Sequence, residues 1–207
     1  MRLPPKRVWD SWYDRELVTR EGEDILASYD SWAIQELSRL KLIWKSWGPI
    51  TSLSGSIVTG PGMPSFGLRK VICKDPIKLR LFFLSLLWRA AKTDRFEFQD
   101  IQLDEKDLGR LQRMVRDGDP NPNNFYPTTL LQIASRGPTH NFAPIAVDET
   151  IDKGDGTSIR HCVFRFYFNG LIANMHRFKA TTNGIESFVV GCSPEIVVQT
   201  QLIDDSF

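Results

Sequence analysis

The stretch HCVFRFYF-NG-LIANMHRF, residues 161–178, decides how the second half of this sequence folds. Two β-rich runs flank Asn169-Gly170. This dipeptide between such runs is the strongest short-range signal for a β-hairpin, because a type I′ turn needs positive φ at both central residues. A two-residue loop also fixes the strand register, so Arg165 is predicted to face Asn174.

Alternation along the two strands sends successive side chains to opposite faces of the hairpin. One face is almost wholly apolar, and we expect it to join the core. It carries Cys162, Phe164, Phe166, Phe168, Leu171, Ala173 and Met175. The other face is mixed. It carries Val163, Arg165, Tyr167, Ile172, Asn174 and His176.

Four polar side chains of the mixed face, Arg165, Tyr167, Asn174 and His176, are candidates for one hydrogen-bonded cluster. Arginine offers a planar fork of donors and histidine titrates near neutral pH, so the pattern indicates a ligand or phosphate pocket. The same pattern is typical of a half-exposed polar sheet face whose side chains satisfy one another. The sequence leaves both interpretations open.

A second group of polar side chains lies in the run SRGPTHN, residues 135–141. It places Arg136, His140 and Asn141 around a Gly-Pro turn, and loops that carry such groups are frequent binding sites. The alternative is a turn in which Thr139 and Asn141 bond backbone groups. If this turn lies beside the mixed face, the two groups form one candidate binding cluster. That cluster comprises Arg136, His140, Asn141, Arg165, Tyr167, Asn174 and His176.

The hairpin belongs to a longer β-rich region. From residue 125 onward, short β-rich runs alternate with turns that contain Gly, Asn or Pro, which is the spacing of an antiparallel meander. Strands are predicted at about 128–134, 142–149, 161–168, 171–178, 186–191 and 195–203.

The first half of the sequence has the periodicity of helices. A Gly-, Pro- and Ser-rich stretch at residues 49–70 is predicted to be a loop or a short hairpin. The run after Asp75-Pro76 is apolar nearly all round, so its helix is expected to be central. Helices are predicted at about 20–47, capped by Thr19, at 76–93, and at 104–116.

These elements predict an α+β fold, with a helical N-terminal half packed on a C-terminal antiparallel β-meander. We expect a single α+β domain over residues 1–207. It comprises an aromatic arm at 1–18, a mainly helical part at 19–118 and an antiparallel sheet at 125–207.

Composition limits the classes of function. The 26 basic and 25 acidic side chains nearly balance, so no basic excess points to nucleic acid. The three cysteines are far apart and none lies in a Cys-x-x-Cys spacing, so we expect no metal site and no cofactor. No signal peptide and no membrane span are evident in the sequence, and a cytoplasmic location is expected.

Motifs for catalysis are scarce. The sequence contains no Gly-x-Ser-x-Gly elbow, no Walker loop and no Gly-x-Gly-x-x-Gly fingerprint. We therefore favour a protein that is not an enzyme over an enzyme, leave the second open, and identify no catalytic residue.

Several stretches resemble a group of poorly characterised bacterial proteins related to HNH-type zinc-ribbon proteins. These stretches include YDRELVTREGEDILASYDSWAIQEL, LRLFFLSLLWRAA, NNFYP, RGPTHN and FRFYFNGLIANMHR. In the zinc-ribbon relatives, paired cysteines precede the helix in a pattern like Leu-Cys-x-x-Cys-Glu. The matching segment here, residues 17–23, has no cysteine. The resemblance thus implies a domain without the metal ribbon, from phage-defence or mobile-element neighbourhoods.

Three functions remain open at this point. The first is a non-catalytic binding or accessory protein that acts through a protein partner or as a homo-oligomer, in phage defence or mobile-element biology. The second is a nucleic-acid- or nucleotide-processing enzyme of degenerate HNH-like type. The third is a sensor of a small ligand on the mixed sheet face.

Overall fold

The computed structural model describes residues 18–59, 66–152, 157–177 and 184–202. This part of the chain contains three α-helices and a seven-stranded sheet, which confirms the α+β class. The predicted aromatic arm at 1–18 lies outside the described residues apart from its last position. None of the helices among these residues has both the length and the apolar character that crossing a bilayer requires.

Helix α1 comprises Arg20–Arg39. Its start confirms the prediction, because the Thr19 hydroxyl accepts a hydrogen bond from the amide of Gly22 at 3.3 Å. The buried side of α1 packs on the second helix. Arg89 of that second helix, Pro76–Lys92, forms two hydrogen bonds with the carboxylate of Asp30 on α1, at 2.7 and 2.8 Å.

The predicted continuation of α1 to Trp47 is wrong. Lys41 adopts a positive φ of 54°, and the amide of Leu42 bonds the carbonyl of Leu37 at 2.9 Å. This is a Schellman ending, in which glycine usually takes the left-handed position. Because a lysine takes it here, the sequence carries no visible stop signal at this point.

Helix α2 comprises Pro76–Lys92 and is central, as predicted. Asp75 accepts a hydrogen bond from the amide of Lys78 at 2.9 Å, which confirms the expected cap. Most side chains of α2 are buried, including the polar Ser85. Helix α3 comprises Glu105–Asp117 and packs against α2.

Helix α2 carries one fully buried arginine. Arg80 is fully buried and donates to the carbonyl oxygens of Pro120, Pro122 and Phe125 at 3.1, 3.2 and 2.7 Å. Burial lowers its pKa to about 10, so the guanidinium is still charged at neutral pH. Its charge is balanced by backbone dipoles, and it ties residues 120–125 to α2.

The sheet has the strand order β1-β2-β7-β3-β6-β5-β4. Neighbours pair antiparallel, except that β3 and β7 run parallel. The strands are β1 Val58–Thr59, β2 Phe66–Ile72, β3 Thr128–Ile133, β4 Ile145–Asp152, β5 Ser158–Phe168, β6 Leu171–His176 and β7 Glu195–Gln201.

Two parts of the predicted sheet differ from the structure. The strand predicted at 186–191 is wrong, because residues 186–188 form a 3₁₀ turn instead. The stretch at 49–70, predicted as a loop or a short hairpin, supplies β1 and the start of β2, which pair antiparallel as a hairpin does. The prediction did not include the pairing of β2 with β7, which runs along the whole length of β2. The sheet is therefore not a simple meander, since the parallel pair β3–β7 joins two antiparallel parts in its middle, β1-β2-β7 and β3-β6-β5-β4.

The hairpin of β5 and β6 has the predicted register. Arg165 lies opposite Asn174, and Phe168 lies opposite Leu171. The apolar face joins the main core, as predicted. Its buried members are Phe164, Phe166, Leu171, Ala173 and Met175, with Cys162 and Phe168 packed at the margin.

The hairpin turn contacts the helical half directly. Gly170 has a φ of 93°, and a Cβ atom there would lie 2.2 Å from Nε1 of Trp44. That indole donates to the carbonyl of Ile133 at 3.0 Å, and the amide of Trp44 bonds the carbonyl of Asn169 at 2.9 Å. The turn therefore needs glycine both for its backbone conformation and for the space that the indole fills.

We predict that Gly170→Ala lowers the free energy of unfolding by about 3 kcal/mol, because left-handed strain of about 1–2 kcal/mol adds to overpacking of about 1–3 kcal/mol. Gly184→Ala is the matched control, since its φ is 82° and none of the described residues lies within 4 Å of the added Cβ. It should cost only the strain. Urea denaturation of both variants measures the difference, and equal losses would contradict the close contact with Trp44.

Candidate functional site

The mixed face of the hairpin continues onto β4 and β3. We call it the outer face. The β4–β5 register sets Glu149 opposite His161, and the β5–β6 register sets Val163 opposite His176. With a side-chain period of two, all four point to the outer face. The pairing of the strands thus gathers one carboxylate and two imidazoles at one end of that face.

The two imidazoles contact each other. Nε2 of His161 lies 3.1 Å from Nδ1 of His176, and the rings stack with centroids 5.4 Å apart. The other ring nitrogen of His176, Nε2, lies 3.0 Å from the hydroxyl of Thr129 on β3. When Nε2 donates its proton to Thr129, the lone pair of Nδ1 faces His161.

Glu149 completes the group. One ligand atom from each of Glu149, His161 and His176 lies within 4.8 Å of the others. We call these three residues the His-His-Glu cluster. The carboxylate of Glu149 also forms an ion pair with the guanidinium of Arg165, which lies on the same face. The cluster is only partly open to solvent, because His161 is 7% exposed.

The surroundings keep His176 neutral. Burial lowers its pKa to about 4, and the charges of His161 and Arg165 act in the same direction, while Glu149 opposes them. The ring therefore carries a lone pair at neutral pH, which is the form that binds metal ions.

Aromatic rings cover the opposite end of the outer face. The ring of His140 lies 5.2 Å from Tyr167 and 5.1 Å from Phe142, measured between centroids. Burial lowers the pKa of His140. Burial raises the pKa of Tyr167, and the nearby charge of Arg165 opposes that rise. The turn at 136–141 thus does reach the outer face, through His140.

The other two residues of that turn lie apart from the His-His-Glu cluster. Arg136 donates to the carbonyl of Trp44 at 2.8 Å, and its guanidinium lies 5.9 Å from the ring of Trp47. It lines an open cavity of about 340 Å³ together with Lys45, among others. Asn141 is half-buried and takes no part in the ring contacts of His140.

Asn174 is 9% exposed and lies between Arg165 on β5 and Thr129 on β3. Its Oδ1 is buried and has no hydrogen-bond partner within the described residues. The same holds for Nε of Arg165. An unpaired donor and an unpaired acceptor therefore lie on neighbouring strands of the outer face.

The predicted cluster thus separates into distinct environments. Arg165, Tyr167, Asn174 and His176 share the outer face, His140 joins them at Tyr167, and Arg136 and Asn141 do not reach the His-His-Glu cluster. Sequence reasoning missed three residues near His176, namely Thr129, Glu149 and His161. Alternation along β5 already puts His161 on the face of Arg165. Glu149 and Thr129 depend on the registers of β4 and β3, which no two-residue turn fixes.

We predict that Glu149 and Arg165 couple in a double-mutant cycle. With a chelator present, Glu149→Gln, Arg165→Gln and the double variant should give a coupling energy of about 1 kcal/mol, because both side chains are about one-third exposed. Urea denaturation measures it. Additive losses would show that the ion pair does not persist in solution.

A scan of protein-family models finds no match to this chain, and no curated protein and no solved structure matches it. The resemblance to HNH-type zinc-ribbon proteins stays a prediction from the sequence. The chemistry of the site follows from the residues that line it. These are a carboxylate, two imidazoles, a hydroxyl and an arginine, brought together on one sheet face by three strand pairings.

Proposed function

We propose that this protein binds a divalent transition metal ion, with Zn²⁺ the best suited, and that Glu149, His161 and His176 are its ligands. The carrying observation is that one ligand atom of each lies within 4.8 Å of the others. Two histidines and one glutamate are a donor set that zinc uses in sites that keep a position open for a further ligand.

The spacing of the two ring nitrogens supports this proposal. Zinc binds histidine nitrogen at about 2.0–2.1 Å, so two such nitrogens at a tetrahedral angle lie about 3.4 Å apart. Nε2 of His161 and Nδ1 of His176 are separated by 3.1 Å. An ion therefore enters between them with a small outward shift of the rings, replacing their mutual hydrogen bond. The carboxylate oxygen of Glu149 lies within 4.8 Å of both nitrogens and has to approach them to reach a ligand distance.

The surroundings of the cluster also suit a metal centre. Histidine ligands characteristically bond a second group through the nitrogen that does not face the metal. Thr129 lies 3.0 Å from that nitrogen of His176 and fixes the ring in the orientation that directs Nδ1 to the ion. Arg165 holds the carboxylate of Glu149 close by.

A metal with an open coordination position bears on two of the functions considered from the sequence. It binds a further small ligand, as a sensor does, and it lowers the pKa of a bound water, as a hydrolytic enzyme requires. Of these, the geometry favours ligand binding. The carboxylate of the cluster, Glu149, is used as a ligand of the metal, so it is not available as a general base.

The test is metal binding by the purified chain after treatment with a chelator. Isothermal titration with Zn²⁺ should give one site per chain, and a saturating concentration of about 100 times the dissociation constant should stabilise the fold by about 2.7 kcal/mol. His161→Asn and His176→Asn should each weaken binding more than about 100-fold. Thr129→Val should weaken it about 10- to 100-fold, because it removes only the supporting hydrogen bond.

His140→Asn is the matched control. It removes the remaining histidine of the chain, which lies at the Tyr167 end of the outer face, and should leave Zn²⁺ affinity unchanged. Circular dichroism establishes that each variant is folded. Equal affinity in the wild type and the His161→Asn/His176→Asn double variant would refute the assignment of these ligands.

A second candidate function is association through the other end of the sheet. There β1 and β2 expose apolar side chains on the outer face, including Phe66 at 51% and Ile72 at 60% exposed. The ion pair of Lys70 with Glu195 lies among them. A patch that is apolar and carries both signs of charge is complementary to itself, so a second copy of this chain is the partner it suits.

Sedimentation velocity tests this association. The wild type should form a dimer at micromolar concentration, and Ile72→Asp should be monomeric, because a carboxylate in the apolar patch opposes its burial. Ile34→Asp is the control, since Ile34 is an exposed isoleucine on helix α1. A monomeric wild type over the whole concentration range would contradict the proposal.

A further inference from the structure

We propose that the metal ion in the His-His-Glu cluster takes a phosphate-type oxyanion as its further ligand, and that Arg165 and Asn174 bind the same anion. This inference rests on the proposed function, because the anion bridges the metal and the two side chains. It assigns Arg165 and Asn174 roles that the metal itself does not require.

Arg165 is poised to change partners when the metal enters. Without metal, its guanidinium neutralises the carboxylate of Glu149. When a metal ion binds the carboxylate of Glu149, the guanidinium of Arg165 loses its partner and lies next to a doubly charged cation. Its Nε is already buried without a hydrogen-bond partner among the residues described. Arginine offers parallel donors to phosphate oxygens, so an oxyanion satisfies both the freed group and the unpaired Nε.

Asn174 supplies the complementary group. Its Oδ1 is an acceptor, and it lies directly across the strand pair from Arg165. Leaving such a buried acceptor without a hydrogen bond is costly, so a ligand that donates to it is favoured. Hydrogen phosphate carries acceptor oxygens for Arg165 and the metal, and an O–H that donates to Asn174. A carboxylate ligand has no such donor near neutral pH.

The balance of charge favours an anion as well. The cluster supplies one carboxylate, Arg165 supplies one guanidinium, and the two imidazoles bind metal as neutral ligands. A divalent ion in that setting leaves an excess of positive charge in a partly buried place. Burying uncompensated charge is costly, and a bound phosphate removes the excess.

The experiment uses Co²⁺ in place of Zn²⁺, because its visible absorption reports on its ligands. Inorganic phosphate added to the Co²⁺-loaded wild type should change the absorption with a saturable dependence, and acetate at equal concentration should change it less. Arg165→Gln should weaken phosphate binding about tenfold or more, because a charge-assisted hydrogen bond is lost. Phosphate affinity is measured on the variant saturated with Co²⁺, so a change in its affinity for Co²⁺ does not enter the comparison.

Arg160→Gln is the matched control. Arg160 also lies on β5, but its side chain is exposed and pairs with Asp148, so phosphate binding should not change. Phosphate titrated into the metal-free protein should give no binding. If Co²⁺ binds but phosphate affinity is the same in the wild type and Arg165→Gln, or acetate is as effective as phosphate, this inference is overturned while metal binding stands. If Co²⁺ does not bind, the proposed function itself fails.

Discussion

The register of the β5–β6 hairpin is the constraint on which the candidate site depends. Because side chains alternate along a strand, a slip of one residue would send His176 into the core and bring Met175 to the outer face. The two-residue turn at Asn169 and Gly170 prevents this slip, and Trp44 packs against the turn from the helical half. The position of the imidazoles therefore depends on a contact with a tryptophan that belongs to neither strand.

Local signals in the sequence were sufficient for the elements that short-range chemistry determines. The Asn-Gly turn implied both the hairpin and its pairing, and Asp75-Pro76 marked the start of α2. The end of α1 carried no comparable signal, since Lys41 holds the left-handed position that glycine usually takes. The full length of β2 and its place in the main sheet were hidden for another reason. Its partner is β7, more than a hundred residues away, and its neighbourhood has the composition of a loop.

The same holds for the site: residues of one hairpin could be grouped from the sequence, and residues on other strands could not. Arg165, Asn174 and His176 could be grouped because one hairpin holds them all. The spacing of the cysteines argues only against a metal site whose ligands are close in sequence. It gives no information about a site whose ligands lie on different strands of a sheet. The position of Glu149 relative to His161 depends on the pairing of β4 with β5, whose longer connection sets no register that composition can reveal.

The buried Arg80 has a consequence for how this fold holds together. A charged group in an apolar interior is tolerable only while its three carbonyl partners stay in place, and those carbonyls lie some forty residues further along the chain. If the segment at 120–125 opened alone, a buried cation would lose its partners, and if α2 opened alone, three carbonyls would lose their donor. Helix α2 and this segment therefore behave as one cooperative unit. Because β3 begins directly after the segment, the position of its first residues depends on a helix in the N-terminal half of the chain.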